Sequence, residues 1–255
     1  MSHWMTTRRS RSIRSRRLEP KFTTRIVSGC RQNQGMAEQS PLGALLNQAY
    51  IRNGDLPVAF IDETSRSVSE HPGEKQFYVM SGVVVRPQDF EILREDLREI
   101  AQSDFWHTTD NLSSASGREK VLEMLQYLAD GDEISIISHL GDSGFGEGDI
   151  ESARETTLIK LSEYLFNDLG MKLAVLERRN PNSLVIKDER TFANAKKSGV
   201  VPRNSQMIQV SPSTERLLWL PDLVASAIRQ ELARGDQTYV NLLKDKVVYL
   251  DATAS

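Results

Sequence analysis

Apolar and polar positions along the 255-residue chain follow two different periods, and the periods alternate in a regular order. Val58, Ala59, Phe60 and Ile61 form a short apolar run bounded by polar residues, which predicts a buried strand. A second strand is predicted over residues 76–85, where Phe77, Val79 and Ser81 alternate with Tyr78 and Met80 before an apolar end at Val83, Val84 and Val85. A polar loop joins the two, so they are expected to pair antiparallel. The spacing then changes to threes and fours. Phe90, Leu93, Leu97 and Ile100 predict one amphipathic helix, and Ser116 with Glu119, at capping-box spacing ahead of Val121, Leu122, Leu125 and Leu128, predicts a second. A strand over residues 134–139, a helix over 151–169 and a strand over 172–176 follow. A short helix over 188–197 stopped by Gly199, a strand over 207–210, a helix opened by Pro221 and a last strand over 247–250 complete the pattern.

Two strands followed by alternating helices and strands predict an α/β domain, a mixed sheet with helices on its faces. Gly54 to Pro57 punctuates the chain, so the single folded domain is expected over residues 55–255 and a disordered tail over residues 1–54. Charge changes the picture of that tail. Residues 1–31 hold nine basic residues and one acid, a local balance of +8, so the formal net charge of −3 leaves the rest at −11. The basic run has little apolar content and is expected to be solvated in isolation. It reads as an attachment segment for nucleic acid or another acidic partner, as a plain tail, or as residues upstream of a true start at Met36. Its Arg and Ser content also resembles an organelle transit peptide. Arg8 and Arg9 lack the apolar segment an export signal needs. Cys30, the single cysteine, excludes an intramolecular disulfide and a thiolate zinc centre, and points to a cytoplasmic protein. No stretch approaches the roughly 18 apolar residues of a membrane span.

In open α/β sheets functional groups collect at the carboxyl ends of strands, and several acids stand at such ends here. Asp62 and Glu63 follow the first strand, Glu177 follows the strand over 172–176, and Asp222 lies in the first turn of the last long helix. Acids gathered from separated segments suit a magnesium or manganese site for phosphoryl transfer, because such ions take hard oxygen ligands. The plainer reading makes each acid a turn residue or a helix cap. If Pro221 opens its helix, Asp222, Ser226 and Arg229 share one face while Val224, Ile228 and Leu232 meet the sheet. His107 is a candidate to orient water or phosphate or to exchange a proton, or else a loop residue packed on Trp106. Arg178 and Arg179 are candidate contacts for substrate phosphates, or part of a solvated basic face with Lys187 and Arg190. Residues 141–148 are glycine-rich but lack the Gly-Lys-Ser/Thr ending of a phosphate loop, and fit a flexible lid better. Four histidines, with no two at helical spacing and no Gly-x-Ser-x-Gly elbow, argue against a zinc hydrolase and a Ser-His-Asp hydrolase.

The order of several motifs carries a resemblance. Phe60-Ile61-Asp62-Glu63-Thr64, the apolar run over residues 77–85, and Leu218-Trp219-Leu220-Pro221-Asp222-Leu223 together resemble the domain-of-unknown-function 3800 family of bacterial, phage and mobile-element proteins. Trp106-His107-Thr108-Thr109, Gly117-Arg118-Glu119-Lys120 and Leu176-Glu177-Arg178-Arg179 resemble its actinobacterial version. The resemblance spans about residues 58–250 and implies a ribonuclease-H-like fold. Carried over by position, the family's acids are Asp62 with Glu63, and Asp222. Thr64 replaces the family's usual Ser and Pro221 its frequent Ala, and neither change removes a carboxylate. The expectation is a metal-dependent nuclease, of the mobile-element or phage-defence biology that the resemblance implies, with Asp62, Glu177 and Asp222 as ligands of Mg or Mn and Glu63 or His107 assisting. Arg178, Arg179 and Arg229 are the expected substrate contacts. The competing expectation is a catalytically silent, nuclease-like scaffold that binds a protein partner. A scaffold leaves the three acids apart or paired with arginines; a nuclease brings them together.

Overall fold

A computed structural model describes residues 40–67, 74–141 and 150–253. The basic segment over residues 1–39 and most of the glycine-rich stretch, residues 142–148, lie outside the described residues. In chain order the elements are α1 (Pro41–Asn53), β1 (Val58–Arg66), β2 (Phe77–Val85), α2 (Phe90–Ala101), α3 (Thr108–Leu112), α4 (Ala115–Asp130) and β3 (Ile134–Gly141). Then come α5 (Ile150–Glu163), β4 (Leu173–Glu177), α6 (Asn182–Ser198), β5 (Gln206–Val210), α7 (Trp219–Arg234), α8 (Val240–Leu243) and β6 (Val247–Asp251).

The six strands form one mixed sheet in the order β5-β4-β1-β2-β3-β6. Only β2 runs against the others: it is antiparallel to β1 and β3, while β1–β4, β4–β5 and β3–β6 are parallel. This is the expected α/β architecture, a ribonuclease-H-like mixed sheet flanked by helices. Alternation along each strand divides the core into two layers. Phe60, Val79, Val83 and Val175 face α1, α2, α4, α7 and α8, whereas Ile61, Met80, Ile136 and Leu176 face α5 and α6. Among the described residues no helix is long and apolar enough to cross a membrane.

Several boundaries differ from expectation, three of them for a clear local reason. The folded part begins before residue 55. Ser40 accepts a hydrogen bond from the Gly43 amide, Pro41 opens α1, and Leu46 and Ala49 are buried in the core, so this stretch is a capped helix rather than tail. Helix α4 is capped by Ser114, not Ser116, through the Gly117 amide. Pro221 is the third residue of α7 rather than the first, still within the turn whose amides have no helical partner.

Candidate metal and phosphodiester site

Strands β1 and β4 pair from Val58↔Leu173 to Ile61↔Leu176, and the β1–β4 ladder then ends. β1 continues beside β2 to Arg66, while β4 stays with β5 through Glu177↔Val210. A crevice therefore opens where the next residues are Asp62 and Glu177, at the carboxyl ends of neighbouring parallel strands. Parallel partners point to the same face, and Phe60 and Val175, two residues earlier, lie in the layer that α7 covers. Helix α7 is tied to the sheet at this level: the buried Ser81 hydroxyl, opposite Asp62 in the β1–β2 register, donates to the Pro221 carbonyl at 2.7 Å. That bond sets the first turn of α7 over the crevice and brings Asp222 to it.

The result is a cleft of about 230 Å³ lined by Asp62, Glu177, Asp222, His107, Trp106 and Trp219, among others. A larger hollow of about 310 Å³ between α6 and β5 has a single acid, Glu189, in its lining. Burial holds the Asp62 carboxyl well above the ordinary range, and the charges of Glu177, Glu63 and Asp222 push it further. Burial, then Asp222 and Glu63, raise Glu177 to about 7. Asp222 is also raised by burial, although hydrogen bonds from Thr108 and Ser226 and the His107 ring oppose the shift. Among the described residues none of the three forms an ion pair with Lys or Arg.

Thr108, to which sequence reasoning assigns no role of its own, is the main residue that holds Asp222. The Thr108 amide and hydroxyl both donate to its Oδ2, at 3.0 and 2.8 Å, and Ser226 Oγ reaches Oδ1 at 3.5 Å. Thr108 starts α3, and α3 lies close against α4 because residue 117 is glycine: a Cβ there would sit 2.1 Å from the Asn111 carbonyl oxygen. The partners are 114 residues apart, so spacing gives no sign of the contact; only the adjacency of Thr108 to His107 marks the segment.

No family model matches the chain, and no curated protein matches it. The chemistry is therefore read from the geometry. Hard carboxylate oxygens on half-buried residues, without a Lys or Arg ion pair among the described residues, fit the donor chemistry of Mg or Mn. Among the described residues no three His, Cys, Asp or Glu side chains are already gathered as a group that could hold an ion. The acids share a cleft and a field, not a finished coordination shell.

The other expected site residues separate into two groups. His107 lines the cleft, with its Nδ1 3.1 Å from Asp110 Oδ2. Arg229, on the α7 face shared with Asp222 and Ser226, donates to Thr64 Oγ1 at 3.2 Å and to the Ser65 carbonyl at 2.5 Å, which ties it to β1 beyond the cleft lining. The side chains of Glu63, Arg178 and Arg179 do not join the acids. Glu63 contributes to the cleft wall, but alternation along β1 turns its carboxylate to the opposite face, where it pairs with Arg154. Arg179 is committed to Glu151 at 2.8 Å and Asp188 at 2.9 Å, and Arg178 bonds Asn182 at 2.6 Å. The expected assistance of Glu63 at the metal and the expected substrate contact of Arg179 thus meet side chains engaged elsewhere, while the Arg178 bond to Asn182 is an exposed one.

Proposed function

We propose that the chain is a metal-dependent phosphodiesterase that acts on nucleic acid, with Asp62, Glu177 and Asp222 holding Mg or Mn. The observation that carries this reading is that three carboxylates, from β1, β4 and α7, line one cleft with no Lys or Arg ion pair among the described residues. Like charges buried together cost stability, and a site that tolerates the cost is expected to use a cation to relieve it. When bound, a divalent ion supplies Lewis acidity and neutralises charge on a phosphodiester. The chain supplies the rest. Asp62 and Glu177 approach from the sheet and Asp222 from the helix above. His107, at the cleft wall, lies where it could orient a water or exchange a proton.

The resemblance of residues 58–250 to the domain-of-unknown-function 3800 family supports the same reading, because its acids fall on Asp62 and Asp222. The scaffold reading expects these acids to be apart or paired with arginines, which is the arrangement of Glu63 and not of Asp62, Glu177 or Asp222.

The test is a Mn and Mg titration by calorimetry on the full chain, beside Asp62→Asn and Asp222→Asn. Wild-type binding that both variants lose, followed by metal-dependent cleavage of DNA or RNA oligonucleotides, supports the proposal. Folded variants that bind as wild type does, or a wild type that binds no metal, refute it.

A further inference from the structure

The acid on α7 is held differently from the two on the sheet. Both donors of Thr108 meet the same oxygen, Asp222 Oδ2, while Oδ1 has only the long contact from Ser226. The Thr108 hydroxyl has one proton, and it is used on Asp222. A lone pair of Thr108 Oγ1 accepts the Trp106 indole N–H at 2.8 Å. Trp106 and Thr108 are buried, and the Trp106 ring lies 6.2 Å from that of Trp219, the first residue of α7. The hydroxyl therefore has little rotational freedom: with the indole proton on one side, its own proton is directed to Oδ2.

We infer that Trp106 and Thr108 are a positioning pair for Asp222, which saturates Oδ2 and leaves Oδ1 as the oxygen offered to a cation. Asp222 would then present one oxygen, in a fixed orientation, to a cation. The pair also gives the Trp106-His107-Thr108 segment a second duty, because the anchor that orients Asp222 sets His107 at the cleft wall. The inference deepens the metal-site reading and rests on it for its effect on affinity, but the anchor itself is testable without metal.

Thr108→Val keeps the shape of the side chain and removes the hydroxyl; Thr108→Ser keeps the hydroxyl. Outer partners of metal ligands typically contribute about 10- to 100-fold in affinity. Calorimetry with Mn should therefore show Thr108→Val weakened by at least about tenfold and Thr108→Ser close to wild type. A Thr108→Val protein that melts cooperatively and binds Mn as tightly as wild type would overturn the inference, while loss of binding in Asp222→Asn in the same series would leave the metal site standing.

A metal-free thermal cycle decides the anchor independently. Thr108→Val should lower the melting temperature in the wild-type background and lower it clearly less in Asp222→Ala, where the bond is already gone. Equal losses in both backgrounds would refute the anchor even if the wild type proved unable to bind Mn. Should Thr108→Val fail to fold, Trp106→Phe removes the indole N–H together with part of the buried ring; the packing loss is common to both backgrounds, so the same cycle is read with the same two outcomes.

Discussion

The two faces of the sheet at the end of β1 treat buried charge in opposite ways. On the α7 face Asp62, Glu177 and Asp222 share a cleft, and among the described residues no arginine or lysine is bound to them. On the other face, one residue further along β1, Glu63 meets Arg154, which also binds Asp188 through Nε at 2.8 Å and through Nη2 at 2.9 Å and donates to the Tyr78 hydroxyl at 2.8 Å. Arg179 joins Asp188 to Glu151, and Lys187 stands 3.6 Å from Glu151. Three acids face three bases there. Similar residues at similar depth thus form a closed network on one side and an uncompensated cluster on the other, although the network too bears a desolvation cost: burial outweighs Arg154 and Arg179 and leaves Glu63 above its ordinary pKa. The comparison teaches that a buried carboxylate is informative chiefly through its partners, since a paired acid explains itself and an unpaired one calls for a cation.

Breaking the closed side should have the largest effect. Arg154→Met keeps much of the volume but strands Glu63 and Asp188 in a buried position without their shared cation. Removing one partner of a buried pair costs about 3 to 5 kcal/mol, so denaturant unfolding should show a loss of that order. A loss below about 1 kcal/mol would mean that the network is wetter or more adaptable than its geometry indicates.

The open side should reveal itself through pH. Glu177 is raised from 4.5 to about 7, so between those values the folded chain keeps a proton that the unfolded chain has released. Stability of the metal-free protein should therefore fall as pH rises from about 4.5 through 7, by up to about 3 kcal/mol at a little under 1.4 kcal/mol per pKa unit. Millimolar Mg or Mn should restore most of the loss above pH 7 and little below pH 5, where protons occupy the carboxylates. A melting temperature that is flat across this range, with and without metal, would remove the electrostatic distinction between the faces.

Much of this contrast was legible in the sequence. Apolar runs marked the strands, and the acids that follow them, Asp62 and Glu177, are those that meet in the cleft; the helical face through Asp222, Ser226 and Arg229 also appears as spaced. The period of two along β1 was sufficient to turn Glu63 away from Asp62, yet adjacency in the chain suggested a shared task. Arg178 and Arg179 were harder, because their partners lie on α5 and α6 and no local pattern announces them. Helix α1 had a readable start in Ser40 and Pro41, obscured by the basic run before it. The Thr108 anchor had no signature at all, since it joins segments that only the tertiary fold brings together.

A smaller effect, of opposite sign, should come from Asp62→Asn. The amide keeps an acceptor oxygen for the Glu63 amide and removes one charge from the cluster. At pH 8 to 9, where the acids are driven to ionise, the metal-free variant should be more stable than wild type by about 1 to 2 kcal/mol, and the gain should vanish near pH 4. Added Mn should stabilise the wild type and not the variant, so the order of melting temperatures reverses when metal is present. A variant destabilised at every pH would place Asp62 among structurally paired acids, like Glu63.

The finest distinction lies within the open side, between the two oxygens of Asp222. Ser226 contacts Oδ1 at 3.5 Å, the outer limit of a hydrogen bond, whereas Thr108 holds Oδ2 with two short ones. Ser226→Ala should therefore change metal-free stability by less than about 0.5 kcal/mol, the more so because alanine favours the interior of α7. If Oδ1 is the oxygen left for a cation, Mn affinity should also stay within about threefold of wild type, well short of the loss that follows from an outer partner that orients its ligand. A larger loss would show that Ser226 rather than Thr108 orients the carboxylate, and would move the anchor of the site from the Trp106 segment into α7 itself.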